Sequence, residues 1–171
     1  MDPATILLAE DDENDVLIMR RAFKNANIIN PLSVVRDGEE AIQYLRGTGH
    51  YADRVKHPFP CLLLLDLKMP KKSGFDVLDI IKNDPQLNRL VTVVLTSSRQ
   101  GVDINRAYDL WANSFLVKPA SVGELVELLK SLHTYWLVWN ERPDASVELK
   151  SATGPEGESE AGAEPGISPA I

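Results

Sequence analysis

The chain has 171 residues, 44% hydrophobic and 25% charged, a length and composition that suit one globular domain with a single core. Asp and Glu number 25 against 18 Lys and Arg, a formal net charge of −7, which argues against holding nucleic acid or an anionic membrane through bulk charge. No apolar run is long enough to span a bilayer, and Met1-Asp2-Pro3-Ala4-Thr5 lacks the basic, apolar and small-residue order of a secretory signal. The single cysteine, Cys61, excludes an internal disulfide; it opens an apolar run and is expected as a buried structural thiol. Together these features point to the cytoplasm.

Ile6-Leu7-Leu8-Ala9 is a short apolar run closed by acids and is predicted to be a buried strand. Val16, Met19, Ala22, Phe23 and Ala26 then recur at helical spacing, and Asn27 and Asn30-Pro31 end that helix. Leu32 to Val35 is a second strand, and Asp37 caps a helix whose apolar face is Ala41, Ile42, Tyr44 and Leu45. Gly47 to Pro60 is a long connection. Cys61 to Leu65 is apolar at every position, as in a strand covered on both faces. A helix is predicted over Gly74 to Lys82, a strand over Val91 to Leu95, a helix around Ile104 to Trp111 and a strand over Ser114 to Val117. Ser121 and Glu124 form a capping-box pattern ahead of Leu125, Val126, Leu128, Leu129 and Leu132.

Strand and helix alternate about five times, which predicts an α/β fold: a doubly wound, five-stranded parallel sheet with helices on both faces. After Pro143 the character changes, and Ser151 to Ile171 is Gly, Ala, Pro, Ser and Glu with almost nothing large and apolar. Such a segment cannot bury enough surface to offset its conformational entropy. Residues 1–142 are therefore expected to form the domain, and 143–171 a disordered tail.

In open α/β sheets ligands bind beyond the carboxyl ends of the strands, where the strand order switches. The first strand delivers Glu10, Asp11 and Asp12 to that edge, the third Asp66, the fourth Thr96, Ser97 and Ser98, and the fifth Lys118 and Pro119. Each is common alone: an acidic cluster is often a solvated helix start, Asp12 by itself reads as an N-cap, and Thr96 or Ser97 as a turn residue. Their arrival at four strand ends together is specific. Phosphoryl transfer to a carboxylate needs this set, because an Asp nucleophile forms an acyl phosphate and the step is helped mainly by positioning and charge neutralisation. Two acids beside Asp66 suit Mg²⁺, a hard cation that takes oxygen ligands and keeps several waters. Lys118 would neutralise a phosphoryl oxygen, and Thr96 would donate a hydrogen bond to the bound group.

Leu8-Ala9-Glu10-Asp11-Asp12, Leu65-Asp66-Leu67-Lys68-Met69-Pro70 with Gly74, Val94-Leu95-Thr96-Ser97 and Phe115-Leu116-Val117-Lys118-Pro119 resemble the receiver domains of two-component response regulators, over about Thr5 to Trp139. The resemblance implies a flavodoxin-like receiver fold, with Asp66 as phosphoacceptor and Glu10 and Asp11 as the acidic pair, Asp11 the direct Mg²⁺ ligand. It implies the Lys68 backbone carbonyl as a further ligand, Thr96 as switch hydroxyl, Lys118 as phosphate-binding lysine and Phe115 as switch aromatic. Asp12 lies one position past the pair. Phe has no hydroxyl, so the Phe115 switch would act through ring packing. The phosphoryl group would draw Thr96 inward and Phe115 would fill the space it leaves.

The Gly47 to Pro60 insert, Leu95-Thr96-Ser97-Ser98, Ala112-Asn113-Ser114-Phe115 and Tyr135-Trp136-Leu137 resemble the small regulators paired with bacterial phytochrome kinases. That resemblance implies a histidine-kinase donor, a light-sensing bacteriophytochrome being one reading. Lys68 stands where the family varies, either beside the phosphoryl group or simply in solvent. Tyr135, Trp136 and Trp139 suggest a homodimer formed through the last helix and the fifth-strand side. No output domain is expected after Arg142, so the output would be protein contact, onward phosphate transfer or drainage of phosphate from a shared kinase, with no enzymatic activity beyond phosphoryl transfer to, and hydrolysis from, Asp66. A Mg²⁺-dependent phosphatase of the Asp-x-Asp type is disfavoured because Lys68 stands where the second Asp is needed, and a nucleotide-binding fold because no glycine-rich loop follows the first strand. The alternative is a pseudo-receiver, a binding module that is not phosphorylated.

Overall fold

A computed structural model describes residues 4–141. The expected disordered tail, 143–171, and the expected domain boundary at Arg142 lie outside the described residues. Five parallel strands form one sheet: β1 (Ile6–Ala9), β2 (Leu32–Val35), β3 (Leu62–Leu65), β4 (Thr92–Thr96) and β5 (Ser114–Val117), in the order β2-β1-β3-β4-β5. Between and after them run α1 (Glu13–Asn25), α2 (Gly38–Arg46), α3 (Gly74–Asn83), α4 (Gly101–Asp109) and α5 (Val122–His133). This is the doubly wound receiver-type α/β architecture that the alternating pattern predicts.

The sheet works because successive strand residues face opposite sides. In β1, Leu7 and Ala9 join Leu63, Leu65 and Val94 in a core that packs on α2, α3 and α4. Ile6 and Leu8 join Leu62, Leu64, Val93 and Leu95 in a second core that packs on α1 and α5. The central strands β1 and β3, covered on both faces, must therefore be apolar throughout, which is why Leu62-Leu63-Leu64-Leu65 shows no alternation. The register pairs Ala9 with Leu65, so the residues that follow, Glu10 and Asp66, leave the sheet side by side.

Local chemistry sets the helix ends. The Asp12 carboxylate accepts from the N–H groups of Asn14 and Asp15 and starts α1, and Asp37 accepts from Glu40 N–H and starts α2. Gly47 ends α2 in the left-handed region, φ 64°, where a side chain would also meet the Arg54 guanidinium. That guanidinium donates to the Tyr44 and Leu45 carbonyls, so the long α2–β3 connection folds back to satisfy the end of its own helix.

Several boundaries differ from expectation. α4 starts at Gly101, without a side-chain cap, and Trp111 at φ 65° closes the turn beyond it. The Ser121–Glu124 pattern forms only the Ser121 half, while the reciprocal box sits at Ser73 and Asp76. Cys61 is half-buried, packing at the margin of the α1/α5 core rather than inside it. Among the described residues no helix is long and apolar enough to cross a membrane.

Two glycines make opposite predictions. A Cβ on Gly38 would overlap the Lys72 carbonyl, so Gly38→Ala is expected to cost about 1–3 kcal/mol through overpacking. A Cβ on Gly123 meets nothing within 4 Å, so Gly123→Ala is expected to stabilise by about 0.4–1 kcal/mol. Urea unfolding of the two variants beside the parent checks both signs.

Candidate functional site

Glu10 follows β1 directly, is only 2% exposed and donates its backbone N–H to the Val35 carbonyl at 3.0 Å. Its Oε1 accepts from Asp12 N–H at 3.1 Å and its Oε2 from Lys118 Nζ at 2.5 Å. Burial pushes the Glu10 carboxyl above its ordinary range, against the pull of Lys118 and of the Asp12 N–H. Asp11 beside it is exposed. Asp66 follows β3, is buried, and donates its N–H to the Ala9 carbonyl at 3.0 Å. Its Oδ1 accepts from Leu67 N–H at 2.7 Å, leaving Oδ2 facing Lys118 Nζ at 3.5 Å. Carboxylate oxygens of Glu10, Asp11 and Asp66 lie within 4.8 Å of one another.

Lys118 follows β5 and its backbone N–H is fixed to the Thr96 carbonyl at 2.8 Å. Its ammonium bonds Glu10 Oε2 and also Asp15 Oδ2, at 2.7 Å. Burial opposes the charged form of Lys118, but its bonds to Asp15 and Glu10 and the charge of Asp66 outweigh that and hold it protonated well above the usual lysine range. A cavity of about 90 Å³ opens beside it, lined by Glu10, Asp15, Ile18, Pro119 and Val122 among others.

Thr96 ends β4 fully buried, and its Oγ1 accepts a long bond from Ser98 N–H at 3.4 Å. The Ser98 hydroxyl in turn donates to Asp103 Oδ2 of α4 at 2.5 Å. Phe115 lies half-buried on β5 against the α2/α3/α4 core. Lys68 is exposed in the β3–α3 loop. That loop is fastened at both ends. Lys71, at φ 60°, pairs with buried Asp37 at 2.7 Å, and Gly74 packs so closely that a Cβ would strike the Asp66 carbonyl.

The structure thus brings Glu10, Asp11, Asp66 and Lys118 to one rim, with Thr96 on the strand beside Asp66. Sequence reasoning missed Asp15 and the Asp37–Lys71 pair. Asp15 carries a readable signal: it lies four residues before buried Met19, on the inward stripe of α1. The Asp37–Lys71 pair carries none, since it joins two loops from different parts of the chain.

A parallel sheet in this order, with paired acids at the switch point, a third carboxylate beside them and a facing lysine, defines a phosphoacceptor type of α/β domain. Residues 6–130 match the family model described as response regulator receiver domain, and the chain belongs to that family. It is 37% identical over 145 residues to "Probable methanogenesis regulatory protein FilR2" of Methanothrix harundinacea, covering 83% of this chain and 89% of that protein. It is 36% identical over 135 residues to response regulator Rcp1 of Synechocystis, covering 79% of this chain and 90% of that one. The crystal structure of the phosphorylated cyanobacterial phytochrome response regulator RcpA superposes with a TM-score of 0.76 at 38% identity, over 83% of this chain and 99% of that one. The Mn²⁺-bound form of Rcp1 gives 0.74 at 35%, over 83% and 100%. The protein is a response regulator of the two-component class, similar to phytochrome response regulators.

Burial raises the Asp37 carboxyl, but bonds from Lys71 and from the Glu40 N–H overcome that and hold it below the ordinary carboxylate range. A carboxyl depressed by folding stabilises above its unfolded pKa of about 3.9 and loses that contribution as pH falls through the lower folded value. Asp37→Asn is therefore expected to lower stability at pH 7, with the difference from the parent shrinking below about pH 4. Urea midpoints measured from pH 7 to pH 3 check this.

Proposed function

We propose that Asp66 is the phosphoacceptor. The observation that carries the reading is the convergence of its free Oδ2 with the Lys118 ammonium, 3.5 Å away, and with the carboxylates of Glu10 and Asp11. Asp66 Oδ2 would attack the phosphorus of a phosphorylated histidine, forming the acyl-phosphate P–O bond as the donor P–N bond breaks and its electron pair returns to the imidazole. The Leu67 N–H holds the other carboxylate oxygen and so fixes which one faces out. Lys118 balances the charge added to the rim, and its fixed backbone keeps it there. Thr96 exchanges its long bond from Ser98 N–H for donation to a phosphoryl oxygen, and Phe115 packs into the space this leaves. The length of the Ser98 link, 3.4 Å, marks it as weak and makes that exchange inexpensive.

The donor set fits Mg²⁺: three carboxylates and no nitrogen or sulfur, with Asp11 open to solvent so that waters keep their places. Glu10, Asp11, Asp66 and the Lys68 carbonyl would hold it, Asp11 directly, and Mn²⁺ in Rcp1 is consistent with such a site. When bound, the ion neutralises phosphoryl oxygens in the transfer step.

The donor is a histidine kinase. A bacteriophytochrome is the favoured partner because Rcp1 and RcpA are similar across nearly the whole domain; FilR2, at 37% identity, carries another regulatory name. The regulator would act in the cytoplasm through protein contact, without turnover of a separate substrate. It would form a homodimer through the last helix and the fifth-strand side. There α5 runs on into a wider, π-type turn, Thr134–Trp139, with Tyr135 60% and Trp139 75% exposed, and β5 is an open sheet edge.

Incubation with acetyl phosphate and Mg²⁺, followed by intact mass and peptide mapping, tests the chemistry. A hydroxylamine-labile phosphoryl group on Asp66 is expected, absent in Asp66→Asn and absent without metal. No label from acetyl phosphate or from a histidine kinase would overturn the reading in favour of a pseudo-receiver. Sedimentation tests the assembly: a dimer weakened by Trp139→Ala is expected, and a monomer at micromolar concentration with and without phosphorylation would contradict it.

A further inference from the structure

The Lys118 ammonium has three hydrogens, and three carboxylates surround it. They are not equivalent. Glu10 and Asp15 take short bonds of 2.5 and 2.7 Å, while Asp66 stands at 3.5 Å, beyond a good charge-assisted bond. The ammonium leans away from the carboxylate proposed to carry the phosphoryl group.

The two short partners differ in their freedom. The Glu10 side chain is 3% exposed, and its second oxygen is engaged by Asp12 N–H, so it cannot retreat. The Asp15 side chain is 42% exposed, on the first turn of α1, and has open solvent to turn into. Asp12, by capping that turn through the Asp15 N–H, sets where the Asp15 carboxylate stands.

We infer that Asp15 is a positioning residue that competes with the phosphoryl group for Lys118, holding the ammonium off Asp66 until phosphorylation draws it across. This rests on the role proposed above for Lys118 and adds a partner that sets how readily Lys118 is released. A phosphoryl group on Asp66 adds negative charge on the far side of the ammonium. Lys118 keeps Glu10, shortens toward Asp66 and gives up Asp15, whose carboxylate returns to water. The bond to Asp15 exists only before phosphorylation, so it stabilises the unphosphorylated state and makes the phosphorylated one harder to reach.

Removing the Asp15 charge is then expected to favour the phosphorylated state, the reverse of what damage to a merely structural contact would do. Asp15→Asn keeps the side-chain shape and the backbone cap. A part-exposed pair of this kind corresponds to a change in affinity of about two- to fivefold. The probe is beryllofluoride, a mimic of the acyl phosphate, titrated calorimetrically at saturating Mg²⁺ into the full chain, into Asp15→Asn and into Glu13→Gln. Glu13 is an acid of the same helical turn that pairs with Arg36 and not with Lys118, so it reports the effect of charge alone.

Tighter binding in Asp15→Asn with Glu13→Gln unchanged supports the inference. Equal or weaker binding in Asp15→Asn overturns it, as does an equal gain in Glu13→Gln, which would mean general repulsion of the anion. If the parent binds no beryllofluoride, the phosphoacceptor reading itself fails and this inference falls with it, an outcome distinct from the others because it appears before any substitution is made.

Discussion

One ammonium holds the functional edge of this protein together. Four carboxylates, Glu10, Asp11, Asp15 and Asp66, gather at the carboxyl end of the sheet, and among the described residues Lys118 is the cation bonded into their midst. Burying Glu10 next to Asp66 is unfavourable by itself, since both desolvation and like charge oppose ionisation. The rim is tolerable because Lys118 reaches three of the four and donates to the most buried one. The remaining imbalance is negative, and it is what gives the site an appetite for a cation.

The fold serves that arrangement with backbone. Glu10 and Asp66 sit side by side because β1 and β3 pair in register up to the residue before each. Lys118 is placed by its own N–H on the Thr96 carbonyl, so the hydroxyl and the ammonium belong to adjoining strand ends. The β3–α3 loop that follows Asp66 is held by Asp37–Lys71 and by close approach at Gly38 and Gly74. A side chain can respond to a phosphoryl group only if its surroundings stay still, and here the parts expected to move are few: the Lys118 ammonium, the Asp15 carboxylate, the Thr96 hydroxyl, the Phe115 ring and the α4 start tied to Ser98.

Much of this was legible in the residues. The five strands, three of them fully buried, betrayed themselves as largely apolar runs, and each run bearing on the rim stopped at a residue with chemistry to offer: Glu10, Asp66, Thr96 and Lys118. A parallel sheet aligns those stops, so reading strand ends was enough to assemble the core of the site. Asp15 sits legibly on the inward stripe of α1, but helix periodicity does not name its partner, Lys118, which arrives from the β5–α5 junction. Asp37 read correctly as a helix cap, but its second bond, to Lys71, joins two loops and leaves no spacing to detect. The start of α4 was placed too late because Gly101 and Gln100 carry no capping signal. Cys61 was read as core because the run it opens is core, while the strand itself begins one residue later.

The claim that Lys118 governs an over-acidic rim is tested most directly by the stabilities of Lys118→Met and Asp66→Asn, compared by urea unfolding at pH 7 in metal-free buffer. Lys118→Met leaves Glu10 buried without a counter-ion and should lower stability by about 3 kcal/mol or more. Asp66→Asn removes one of the excess carboxylates and should raise it. Opposite signs would establish the charge balance described here. Destabilisation by Asp66→Asn, or no loss in Lys118→Met, would contradict it.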